Sequence, residues 1–330
     1  MACAVALACA CAHEISPLVD PDANDEVHFQ AARAEYDAEI FDVAAAKFDE
    51  FLVEFPHSAR FAEAWYLAGR CRYELGLWDD AIVMLGEMRD EHPASPFVIS
   101  ASYYIGRSQY EAGHHDLAIV ELAAFAASYS DSEYFVAALY FVARSRFETA
   151  DWSGAIADFR HALAAEPDGT YGDNSQYYIG QSLFESGALA EAVPELMLVE
   201  NRYPESEYLD SARYYLGRSF YDRALWSDAI PPFERLVGMV TTLADDGLFH
   251  LGRSHYEVGA LPPALLQMQL LETMHPMSSF ADNGLYWQAR IHTDLADCPS
   301  ATAAVDRLRA AFPTSDELPR AESYLAGHGC

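Results

Sequence analysis

An all-α solenoid, a row of antiparallel helix pairs with no sheet, is the fold class this sequence predicts, and three observations predict it. A small residue recurs at Ala32, Gly69, Gly106, Ala143, Gly180, Gly217, Gly252 and Ala289, in steps of 37 residues with one step of 35. Twelve residues after each comes an alanine in all eight copies: Ala44, Ala81, Ala118, Ala155, Ala192, Ala229, Ala264 and Ala301. Turn-forming residues then fall at fixed phases between and behind these two tracks. A period of this size holds two helices and a turn, which bury their apolar faces only by stacking on neighbouring copies. Eight repeats therefore fill residues 26–314.

The elements follow in order. Residues 1–12, MACAVALACACA, carry no charge and are too few to span a bilayer. They look like the end of a secretory signal peptide without its basic start. ALAC, ending at Cys9, and ACAC, ending at Cys11, resemble the box in which a cysteine becomes lipidated, so lipidation is expected at Cys11 or Cys9. A cytosolic chain with a mis-assigned start is the alternative. Residues 13–25 form a polar leader in which Asp20, Asp22 and Asn24 mimic the opening of a calcium loop. Pro21 and the missing glycine argue instead for a spacer and helix N-terminus.

Within each repeat, a serine at Ser58, Ser95, Ser132, Ser206, Ser278 or Ser315 is expected to cap the first helix. That helix stops at Gly76, Gly113, Gly187 or Gly259, or at Ala150, Ala224 or Ala296, where a left-handed residue is needed. The second helix opens at segments such as LWDDAI (Leu77 to Ile82) and closes at Pro56, Pro93, Pro167, Pro204, Pro276 or Pro313. The small anchors let two helices cross closely, and Leu85, Leu122, Phe159, Leu196 and Phe233 fill the space beside them. The 35-residue copy carries Pro231 and Pro232 inside its second helix and lacks the closing proline, which predicts a kink or fraying over 230–247. Residues 315–330 read as one further first helix, a solvated cap, and tail.

Composition excludes some functions. The net charge is −31, and Lys47 is the single lysine among 20 basic residues. General nucleic-acid binding and docking on anionic membranes both need a cationic face, so neither is expected. The six cysteines show no CxxC and no zinc-ligand spacing. Cys298 and Cys330 lie in adjacent units and could pair in an oxidising compartment, whereas Cys71 takes a slot filled elsewhere by Ser108, Ser145, Ser182, Ser219 and Ser254.

Trp65, Gly69, Ala81, Leu85 and Pro93 in one copy, and Tyr214, Gly217, Ala229 and Phe233 in another, carry a resemblance to the tetratricopeptide repeat (TPR) family. It implies a right-handed superhelix whose concave groove binds partner segments. Against the ordinary 34-residue repeat, the three extra residues fall between proline and glycine, so the first helix is expected to be one turn longer. YPES (Tyr203 to Ser206) and FPHS (Phe55 to Ser58) at the joints are similar to those of envelope TPR lipoproteins, of the outer-membrane β-barrel assembly or Tol–Pal-associated type.

One stripe recurs on every first helix. An aromatic lies three residues before the small anchor, an arginine one after it, a second aromatic four after and an acid five after. Its members are Tyr66, Arg70 and Tyr73; Tyr103, Arg107 and Tyr110; Tyr140, Arg144 and Phe147; Tyr177; Tyr214, Arg218 and Tyr221; Phe249, Arg253 and Tyr256; and Tyr286 and Arg290. Gln181 replaces the arginine once. Aromatic, arginine and aromatic share a helix face at i, i+4 and i+7. By the resemblance they would line the groove, with arginines gripping carboxylates or carbonyls of a mixed or acidic peptide. The other reading is structural: arginine pairs with the acid and stacks on tyrosine. On the groove reading, Arg144→Glu with Arg218→Glu abolishes partner capture and leaves melting nearly unchanged.

No phosphate loop, GxSxG or HExxH occurs, and GHHD (Gly113 to Asp116) sits at a turn. No enzyme, cofactor, metal or small-molecule substrate is expected. The predicted function is a protein-binding scaffold, tethered in the envelope during outer-membrane assembly or maintenance. A cytosolic adaptor organising a signalling or secretion complex is the alternative.

Overall fold

The computed structural model describes residues 21–238 and 241–330. The expected signal-like segment, Cys9, Cys11 and Asp20 lie outside the described residues. Those residues form seventeen α-helices and no strand. They divide into two compact units, residues 21–132 and 133–330. The first holds α1 (Pro21–Asp37), α2 (Phe41–Glu54), α3 (Phe61–Glu74), α4 (Trp78–Glu91), α5 (Val98–Glu111) and α6 (His115–Ser128). The second holds α7 (Phe135–Glu148), α8 (Trp152–Ala165), α9 (Gly172–Glu185), α10 (Leu189–Arg202), α11 (Leu209–Tyr221) and α12 (Trp226–Val237). It continues with α13 (Ala244–Glu257), α14 (Leu261–Met274), α15 (Ala281–Asp294), α16 (Cys298–Ala311) and the cap α17 (Glu317–Gly327).

In each unit every helix packs on the next, and odd helices also touch the next odd helix, as α3 touches α5 and α9 touches α11. The small anchors sit where paired helices meet. A Cβ added to Gly69, Gly106 or Gly180 would come within 2.6, 2.5 and 2.6 Å of Leu85, Leu122 and Leu196. Real Cβ atoms do not approach so closely, so glycine there sets the separation of the pair. Leu85, Leu122, Phe159, Leu196 and Phe233 are fully buried, as expected.

The hairpin turns also fall as predicted. Gly76, Gly113, Gly187 and Gly259 have φ of 73, 77, 82 and 79°, and Ala150, Ala224 and Ala296 adopt 59, 57 and 59°. Glu39 makes the first such turn at φ 60°, without the small residue that marks the others.

Two expectations are corrected. The serines do not cap the first helices, and those helices are not lengthened. Instead two consecutive turns precede the helix: Ser58 N–H donates to Phe55 O and Phe61 N–H to Ser58 O, both at 3.1 Å. Ser58 Oγ accepts from Arg60 N–H at 3.0 Å, and Ser206, Ser278 and Ser315 repeat the bond at 3.1, 3.0 and 3.1 Å. The serine thus holds a turn two residues ahead of the helix, and α3 is 14 residues long, the same as α4. The extra residues of the long repeat build this turn. The later part of the polar leader is a helix N-terminus, with α1 beginning at Pro21; proline suits a first helical turn, where its missing N–H costs nothing.

The short repeat departs less than predicted. α12 runs unbroken through Pro231 and Pro232, but has 12 residues where α8 and α10 have 14.

Candidate partner-binding face

The aromatic that opens each stripe is part of the core. Tyr66, Tyr103, Tyr140, Tyr177 and Phe249 are buried. Four of them stack on a ring at the entry of the next odd helix. Tyr66 stacks on Phe97 (5.1 Å), Tyr140 on Tyr171 (4.5 Å), Tyr177 on Tyr208 (4.7 Å) and Phe249 on Phe280 (4.7 Å). These contacts tie one repeat to the next, and burial pushes the Tyr177 phenol well above the ordinary tyrosine range. Tyr214 and Tyr286 are partly buried.

The arginine lies beside it. Arg70 donates to Tyr66 Oη at 3.2 Å and to Glu74 at 2.7 Å. Its guanidinium covers the Tyr104 ring at 3.4 Å. Arg144 repeats this with Tyr178 at 4.1 Å and Glu148 at 2.8 Å, and Arg253 with Trp287 at 3.9 Å and Glu257 at 3.2 Å. Arg218 donates to Tyr214 at 2.9 Å and Asp222 at 3.1 Å. Arg107 pairs with Glu111 at 2.7 Å, beneath Tyr110. Burial disfavours the Arg70 charge. The oxygens around it, on Tyr66, Tyr104, Tyr36 and Glu74, outweigh that cost and hold the charge more firmly than water does.

The last rung differs. Arg290 donates to Tyr256 and Tyr286 at 3.0 and 3.3 Å and lies 4.6 Å over the Tyr324 ring of the cap. Asp294 accepts from the Tyr256 and Tyr324 hydroxyls, both at 2.6 Å. The second aromatics meet the same inter-repeat rings edge-on: Tyr73 on Tyr104, Phe147 on Tyr178 and Tyr256 on Trp287, at 5.1, 5.1 and 4.8 Å. Tyr221 meets Trp226 and His250 at 4.8 and 4.9 Å.

The stripe residues therefore do come together, as a repeated clamp of arginine, acid and two rings. Charge reversal at Arg144 or Arg218 would remove these bonds as well as surface charge, so the double reversal would not leave melting unchanged. The stripe overlooked one track. The ring two residues before the anchor, at Tyr104, Tyr178, Tyr215, His250, Trp287 and Tyr324, receives the neighbouring arginine or replaces its contact. Its regular phase was readable, but its role depends on the next helix.

Cys71 is buried, and burial raises its thiol to about 12, which fits packing and not nucleophilic chemistry. Among the described residues, no three His, Cys, Asp or Glu side chains are placed to hold a metal ion. Cys298 and Cys330 form a disulfide with Cα atoms 5.1 Å apart, joining the start of α16 to the tail after α17.

Two tetratricopeptide-repeat family models match the chain, over residues 29–96 and 100–132. The anchors of those residues continue in phase through the second unit. Residues 29–96 and 100–132 thus carry tetratricopeptide repeats. The C-terminal part of a TPR repeat-containing protein from Cytophaga hutchinsonii superposes with a TM-score of 0.62 at 16% identity, covering 78% of this chain and 98% of that one. A TPR protein from Parabacteroides merdae gives 0.51 at 13% identity, covering 82% and 99%. YrrB, described as a TPR protein with an unusual peptide-binding site, gives 0.50 at 15% identity, covering 59% and 96%. At these identities the likeness is one of TPR fold. No curated protein sequence matches this TPR chain.

Proposed function

We propose that the chain is a non-catalytic scaffold that binds extended segments of protein partners on the faces of its odd helices. TPR repeats in general bind protein or peptide partners, which supports the reading. The observation that carries it is the repeated clamp, which sets a rigid, evenly spaced row of half-buried arginines and exposed acids along the odd helices of each unit. Ordered side chains cost little further entropy when a partner docks.

The finer reading is a cell-envelope lipoprotein, anchored through Cys11 or Cys9, that gathers partners during outer-membrane assembly or maintenance. The Cys298–Cys330 disulfide supports an oxidising compartment. The weak likeness to assembly-machine and Tol–Pal-associated lipoproteins rests on the joint motifs alone.

Photo-crosslinking tests the scaffold reading. A photoreactive residue at Glu148 or Glu257, on odd helices, is expected to trap discrete partners in native cells. The same residue at exposed Val53 or Val83, on even helices, is expected to trap none. Adducts from the even helices alone would sink it. For the envelope reading, the mass of the native N-terminus with membrane fractionation decides. Acyl chains on Cys11 or Cys9 support it, and a soluble chain with free thiols there removes it.

A further inference from the structure

The clamp has three parts: a cation, an acid on its own helix, and a ring on the next odd helix. Arg70, Glu74 and Tyr104 complete it, as do Arg144, Glu148 and Tyr178, and Arg253, Glu257 and Trp287. On α9 the acid and the ring are present but the cation is not. Glu185 holds the acid position, Tyr215 of α11 holds the ring position, and Gln181 stands where arginine stands elsewhere. The Gln181 amide donates to Tyr215 Oη at 2.9 Å, so the helices keep their register without the charge. Glu185 lies one turn beyond Gln181 on the same face of α9, and burial, then the Glu185 charge, raises the Tyr215 phenol. Glu185 is exposed.

Among the described residues, no cation pairs with Glu185 and none lies over the Tyr215 ring. Arg218, on the same helix as Tyr215, is held by Tyr214 and Asp222. A glutamine is also shorter than an arginine and brings no charge to Glu185 or to the ring. The chain itself shows what suits this place. Where the cation is present, a planar guanidinium sits 3.4, 4.1 or 3.9 Å from the ring centre and 2.7, 2.8 or 3.2 Å from the acid.

We propose that the α9–α11 rung is a docking point for an arginine side chain of a partner segment, seated over Tyr215 and against Glu185. This rests on the scaffold reading and names the partner's chemistry. The segment is extended and carries arginine, and the net charge of −31 draws it in. The chain's own arginines are already engaged by acids and rings, so the acidic peptide that the stripe suggested is the poorer fit. A guanidinium fits better than an ammonium because it can stack flat on a ring while bonding a carboxylate in its plane.

The test uses a neutral Gly–Ser heptapeptide with one central arginine, and the same peptide with citrulline, the uncharged isostere. Both are titrated into the full chain by NMR. The arginine peptide is expected to bind roughly fivefold to tenfold more tightly and to shift the Tyr215 and Glu185 signals. Glu185→Gln is expected to erase that preference, while Glu205→Gln, an exposed acid on a loop, keeps it. Gln181→Arg fills the place from within, so it is also expected to erase the preference. Its helicity and melting temperature should equal or exceed those of the parent, because arginine occupies this position in the other rungs.

Equal binding of the two peptides, or a preference that survives Gln181→Arg or Glu185→Gln, overturns the proposal. The second result would mean attraction to net charge alone. Partners trapped on the odd helices while the arginine peptide shows no preference would overturn the docking point and leave the scaffold reading standing.

Discussion

Two rungs of the second unit make the same joint with different chemistry. Between α7 and α9, Tyr178 stacks on Phe159 at 5.4 Å and 11°, and its hydroxyl accepts from Arg144 at 2.6 Å. Between α11 and α13, His250 stacks on Phe233 at 5.6 Å and 26°, and Tyr214 and Asp222 hold Arg218. The second rung belongs to the copy whose anchors, Gly217 and Gly252, are 35 residues apart. The two missing residues come out of α12, which has 12 residues where α8 and α10 have 14, and the ring still reaches its phenylalanine. In these two rungs the packing keeps a flat ring at this site and tolerates a change of its polarity. Only the second ring is an imidazole, whose ordinary titration lies near neutral pH.

The largest expected effect tests whether the two joints are energetically alike. Phe159 and Phe233 are fully buried. Truncating either to alanine removes a stacked ring and leaves a cavity, at a cost of about 3–5 kcal/mol. Urea denaturation followed by local amide exchange should show similar losses for Phe159→Ala and Phe233→Ala. A loss at Phe233 of only about 1 kcal/mol would mean that the short repeat is loosely packed, and the likeness of the two rungs would fail.

The next effect separates them. Burial pushes the His250 imidazole down to about 4, against the opposing bond from Nδ1 to the Asp246 carbonyl at 2.9 Å, while the nearby Arg218 charge adds to the depression. The unfolded chain takes up this proton near pH 6.5, and the folded chain waits until about pH 4. Stability from this group is therefore complete above pH 6.5 and is lost as the pH falls through that window, by roughly 3 kcal/mol in all. In His250→Phe, which keeps a ring on Phe233, this part of the acid sensitivity should disappear. The difference between the two stability curves isolates the group, since other carboxylates and histidines contribute to both. Parallel curves would show that His250 takes up its proton at the same pH in the folded and unfolded chains.

The repeat length, the helix pairing, the left-handed turns and the buried anchors were legible because each is imposed by local sterics that recur in every copy. Gly180 against Leu196, or Gly187 at φ 82°, admits few alternatives. The serine turns misled because an ST-turn and an N-cap use the same serine oxygen on a nearby N–H, and only the backbone beyond it tells them apart. The stripe was half legible. Spacing put Tyr66, Arg70 and Glu74 on one face. It did not show that Tyr66 faces Phe97, or that Arg70 faces Tyr104, because those partners belong to the next repeat. Gln181 stood out only as an exception until the complete clamps showed what was absent around it.

The smallest effect returns to the two hairpins that lead into the compared rungs. α7 turns into α8 at Ala150, and α11 into α12 at Ala224, with φ of 59 and 57°. A Cβ in this region crowds the following carbonyl by about 1–2 kcal/mol. Glycine removes the crowding but gives the unfolded chain more freedom, which returns about 0.4–1 kcal/mol. Ala150→Gly and Ala224→Gly should therefore each stabilise by up to about 1 kcal/mol, and by matching amounts, read as paired shifts in melting temperature. If Ala224→Gly gives nothing while Ala150→Gly gains, the strain is relieved elsewhere in the α11–α12 hairpin. The shortening of the repeat would then reach back past α12 into the turn before it.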